Sequence, residues 1–134
     1  KDPNRTLLSE MIYHGKILFI SRLLFPEGQN YILFHSSEEK IKWASVNEKN
    51  IWAFFSEKEY LFNTSQDLSL RFISSAPYSK FNLDIDKDSP GSIGKWIGFN
   101  IVSSYMKYNK VSIEELIKTN NYKIYKKSKY KPKK

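Results

Sequence analysis

The chain has 134 residues, 40% of them hydrophobic and 16% aromatic, which excludes a disordered chain and suits one domain with a real core. It has no cysteine, which excludes disulfides, thiolate zinc sites and cysteine nucleophiles, and no apolar run approaches the roughly 18–20 residues that span a bilayer. The net charge of +8 sits at the end: eight of the 22 basic residues lie in 118–134, which holds no acidic residue, leaving 14 basic against 14 acidic residues in 1–117. A helical body over 1–117 and a lysine-rich tail over 118–134, packed on or extending from the same domain, are therefore expected. The opening run from Lys1 to Arg5 is not a signal peptide.

Arg5 to Phe25 reads as the first helix. Leu7, Met11 and Leu18 share a stripe with Leu8, Ile12 and Phe19 beside it. Ile17, Ile20 and Leu24 extend the apolar surface around the circumference, the pattern of a central helix packed on more than one side. Pro26 and Gly28 end it. Tyr31 to His35 fits a short strand or an extended connector. Ser36 and Glu39 have the spacing of a capping box, in which each side chain satisfies a free backbone amide. From there to Lys58, Ile41, Ala44, Ile51, Trp52 and Phe55 form a broad apolar face.

Asp67 to Ile73 reads as a short helix, and Ser74 to Ser89 as a loop. Ser89 followed by Pro90 predicts a helix start, with serine as N-cap and proline at the first helical position. That helix runs to about Lys107 and carries Ile93, Trp96, Ile97, Ile101 and Met106. Ser112 and Glu115 make a second capping box, and Tyr122 to Lys127 a final turn or helix. The fold class is mainly α, a helical domain with irregular loops and room for two short strands.

Few side chains group into recognisable chemistry. Glu10 and His14 stand one turn apart, a spacing that serves metal ligation or acid/base pairing and equally a buried hydrogen-bonded pair. Asp84, Asp86 and Asp88 open like a calcium loop, but Ser89 holds the glycine position and Lys95 the terminal glutamate position, so a solvated acidic loop is expected. The Gly94-Lys95 pair lacks the spacing of a phosphate loop, and Trp96 replaces its hydroxyl residue, which excludes nucleotide binding. Gly94 and Gly98 bare two backbone patches on one helix face, each at a cost of about 1 kcal/mol in helix propensity. Close approach of another backbone is the ordinary compensation, and a ligand on that face the alternative. In the tail, lysines alternate with Tyr122, Tyr125 and Tyr130, which suits either nucleic acid or anionic lipid, or a solvated terminus. The solvated terminus is the expectation, with no nucleic-acid partner.

Specific strings go further. The runs Leu7–Leu18 (LLSEMIYHGKIL), Asn47–Ala53 (NEKNIWA), Ala76–Phe81 (APYSKF), Ser89–Gly98 (SPGSIGKWIG), Ile101–Met106 (IVSSYM) and Ser128–Lys134 (SKYKPKK) resemble, in order, the GldB family of gliding-motility lipoproteins of Bacteroidetes. The resemblance covers nearly the whole chain. It implies the C-terminal portion of a longer cell-envelope protein, exposed to the periplasm and held to the membrane through an N-terminal lipid anchor absent from this chain. Its partners would be other gliding or secretion machinery proteins.

The family is also distantly similar to zinc-peptidase-like proteins, where a glutamate completes a metal site begun by His-Glu-x-x-His. Glu10 would match that ligand, with the histidine pair upstream of this chain. The expectation is therefore a non-catalytic domain acting through protein–protein contacts, without a cofactor. The alternative is the C-terminal part of a zinc-peptidase-like fold with zinc as its metal. No catalytic residue is assigned, and His14, Gly91, Gly94, Trp96 and Gly98 are the expected interaction or packing face.

Overall fold

The computed structural model describes residues 5–132, with side chains throughout except at residues 30 and 31. Part of the opening run (residues 1–4) and of the tail (residues 133 and 134) lies outside them. The described residues are helical and contain no strand.

Helix α1 (Leu7–Leu24) starts at Thr6, whose side chain accepts from the Ser9 amide at 3.1 Å. Two further free amides of its first turn are satisfied from a distant loop, where Leu61 O and Asn63 O accept from Leu8 N and Leu7 N. Only the first half of α1 is buried. Met11 and Ile12 are fully enclosed, whereas Leu24 and Phe25 are each 70% exposed, so the all-round packing predicted for this helix holds only at its N-terminal end.

The region expected as strand or connector is instead helix α2 (Asn30–Leu33), which ends where His35 turns into the left-handed region at φ 53°. Helix α3 (Glu38–Val46) starts one residue later than the predicted capping box. Ser37, not Ser36, is the N-cap, and it accepts from Lys40 N, so a lysine stands where a glutamate would complete the box. Asn47 separates α3 from α4 (Glu48–Glu57). Helix α5 (Gln66–Phe72) lies one residue earlier than the Asp67 to Ile73 expected, with Ser65 as its N-cap.

Helix α6 (Ile93–Tyr108) begins later than the Ser89-Pro90 signal predicts. Ser89 is fully buried and engaged elsewhere, its hydroxyl accepting from Ser79 N at 3.1 Å and donating to Asp86 O at 2.7 Å. The chain turns once more through Gly91 and Ser92, and Ser92 takes the N-cap place in a left-handed conformation without capping through its side chain. Ser79 supplies the missing oxygen, accepting from Ile93 N at 3.0 Å while donating to Pro90 O at 2.7 Å. The acidic loop before it is organised by Asp86, whose carboxylate accepts from the amides of Phe81, Asn82 and Leu83. Helix α7 (Ile113–Lys118) starts with the predicted capping box, both bonds formed between Ser112 and Glu115. Helix α8 (Asn121–Lys127) follows, capped by Asn120.

The central packing pair is α1 against α6, with α8 touching both. Ile93, Ile97, Ile101 and Val102 of α6, Leu116 of α7 and Ile124 of α8 are fully buried in one core with α1. An aromatic cluster closes one side, where Phe54, Phe55, Phe72 and Phe81 meet mostly edge to face. No described helix is long and apolar enough to cross a membrane.

Candidate functional site

The glycines expected on one face serve three different junctions. A Cβ on Gly98 would fall on the Met11 carbonyl of α1, and one on Gly15 would stand 2.8 Å from Phe99 N of α6. The two helices thus cross backbone against backbone through Gly15 and Gly98, which answers the propensity cost of glycine inside both. A Cβ on Gly94 would stand 2.8 Å from Ile73 Cδ1 and 2.9 Å from Phe72 O, and one on Gly91 would fall on the Ala76 carbonyl. Trp96 is 6% exposed and belongs to the core. Gly15 was not singled out in the sequence, although a glycine inside a helix that otherwise reads as central carries the same signal as Gly94 and Gly98.

The crossing places His14 beside the start of α6. Its imidazole lies edge-on to Tyr13, with ring centroids 5.2 Å apart, and lines a cavity of about 200 Å³. Lys95 of α6 and His35, from the connection between α2 and α3, line the same cavity, so both histidines of the chain meet there. Burial, and then the charge of Lys95, lower the His14 pKa below its ordinary 6.5.

Glu10 is half-buried one turn before His14, and among the described residues no hydrogen bond or ion pair joins the two. The described residues also contain no group of three or more His, Cys, Asp or Glu side chains placed to hold a metal ion.

The tail carries a polar site that sequence reasoning missed. Glu48, 7% exposed at the start of α4, accepts from Tyr130 Oη at 2.7 Å and from Asn100 Nδ2 at 3.3 Å. Burial, and then the Glu48 carboxylate, push the Tyr130 phenol well above its usual 10.0. Trp52 packs on both Tyr125 and Tyr130. Ser128 is fully buried, and its carbonyl accepts from Ser104 Oγ at 2.6 Å. The stretch expected as a solvated terminus is therefore pinned to α4 and α6 as far as Tyr130.

Neither a curated protein nor a solved structure matches the chain. A family model does, that of gliding motility protein GldB, over residues 1–132. The match covers nearly every position, including the runs that form the α1/α6 crossing, so the chain belongs to the GldB lipoprotein family of gliding motility.

Proposed function

We propose that this domain is a non-catalytic part of the gliding machinery, acting through protein–protein contacts and supporting the associated protein secretion. The reading rests on the family match over residues 1–132. An apolar surface at the outer end of α1 supports it, where Leu23, Leu24 and Phe25 are 52–70% exposed and Ile32 of α2 is 61% exposed. Clustered exposed apolar side chains of this kind serve contacts with other proteins. On this reading the parent protein belongs to the cell envelope of a gliding bacterium, facing the periplasm and held by a lipid anchor.

Deleting the gene in a gliding host should abolish or strongly reduce colony spreading, with restoration by the wild-type gene. A Leu24→Asp, Phe25→Asp variant should accumulate to normal levels yet restore spreading poorly. Normal spreading of the deletion strain would overturn the role. Full complementation by the double variant would overturn this surface as the contact.

A further inference from the structure

The cavity at the α1/α6 crossing has a composition that its packing role does not require. Its polar lining is His14, His35 and Lys95, with Ser75 and Ser92, and no Asp or Glu lines it. The rest of the lining is largely apolar, with Ile17 and Leu18 of α1 joined by Leu33 and Phe34. Among the described residues Lys95 has no ion-pair partner. The cavity also lies at the N-terminal end of α6, where backbone dipoles favour negative charge and where Ser92 spends its hydroxyl on Ser74 O rather than on the helix. At about 200 Å³, roughly seven waters' worth of space, it accommodates a group the size of one amino-acid side chain.

We propose that this cavity binds a monocarboxylate bearing a short branched apolar group, with the carboxylate toward Lys95, His14 and His35 and the apolar group against Ile17, Leu18 and Phe34. A lining that combines cationic and apolar side chains, at single-residue scale, matches that chemistry better than a bare inorganic anion, which would leave the apolar lining unused. Such a carboxylate comes either as a free short-chain acid or as the C-terminus of a polypeptide. The site goes beyond the motility role and stands or falls separately from it.

The charged groups around His14 set the pH dependence. Lys95 faces it from α6 and His35 from the α2–α3 connection, the segment holding Ser75 and Ala76 brings no titratable group, and Glu10 lies one turn back on α1. A bound carboxylate opposes the effect of Lys95, so it raises the His14 pKa, and binding strengthens as pH falls through the range where His14 protonates.

The test is titration of isovalerate into the chain, followed by calorimetry and by the His14 imidazole signals in NMR. Saturable binding, weakened tenfold or more by Lys95→Gln, together with an upward move of the His14 titration in the wild-type protein, is the expected result. The His14 readout needs no variant and so survives any folding defect of Lys95→Gln. Binding of a short peptide ending in leucine, lost on C-terminal amidation, supports the site with a polypeptide as the source. Binding of the free acid alone supports it with a small molecule as the source. Absence of binding, a His14 titration that isovalerate leaves unmoved, or phosphate binding as tightly as isovalerate would overturn the proposal.

Discussion

Tyr130 donates to a carboxylate that the fold has taken almost out of water, and the pair depends on both members. Removing the hydroxyl leaves Glu48 with only the longer bond from Asn100, so Tyr130→Phe should cost about 1–3 kcal/mol in urea unfolding. The same pair gives stability a dependence on alkaline pH. In the folded chain the phenol holds its proton above 10.0, whereas the unfolded phenol ionises near that value. The contribution is therefore complete below pH 10.0 and lost as pH rises beyond it. Tyr130→Phe should flatten the alkaline limb of a stability–pH profile, and an unchanged limb would show that the phenol ionises as freely in the folded state. This residue's partner is not legible in local sequence, because Glu48 and Tyr130 lie 82 positions apart. Its neighbours' lysines read as a soluble tail, whereas Ile124, Ser128 and Tyr130 decide where that tail lies.

At the scale of the elements, local chemistry was legible where one residue settles the outcome. Ser112 and Glu115 cap α7 as their spacing predicts, since both bonds lie within four residues. Ser36 reads as the cap of α3, but Ser37 takes that place and accepts from Lys40 N. Ser89 and Pro90 failed as a helix start because Ser79, ten residues away, recruits Ser89 into a buried network.

The end of α4 shows the same tension in energetic terms. Tyr60 N donates to Phe55 O and Glu59 N to Ser56 O, the paired bonds of a glycine-type helix stop, with Tyr60 packed on Phe54. Yet the left-handed position is filled by Glu59, at φ 58°. Glu59→Gly should stabilise the chain by about 0.5–1 kcal/mol, since relief of the left-handed strain outweighs the added freedom of the unfolded chain. A lower midpoint in thermal unfolding would contradict that balance. The crossing of α1 and α6 has no such slack, because the Gly98 Cβ position is occupied by the backbone of Met11. Gly98→Ala should cost about 3 kcal/mol, read by urea unfolding, as the helices are forced apart.

Over the whole molecule, body and tail differ in charge, and the tail packs on the body through Ile124, Ser128 and Tyr130. Chain 1–117 would lose Ile124 from the core and leave Glu48 buried with Asn100 alone. It should unfold at least several kcal/mol more readily than the full chain, or fail to fold, and the difference should persist at high salt because packing dominates it. A truncated chain as stable as the original would return the tail to the role of a solvated appendage.

The Gly15–Gly98 crossing also bears on how the protein is made. The buried half of α1 finds its main partner only after about 80 further residues have been synthesised, and closing so long a loop precedes most of the reward. At about 5–20 residues per second, α1 waits several seconds with its apolar stripe uncovered. A ribosome stalled before α6 would release a fragment unable to bury its first helix against that partner.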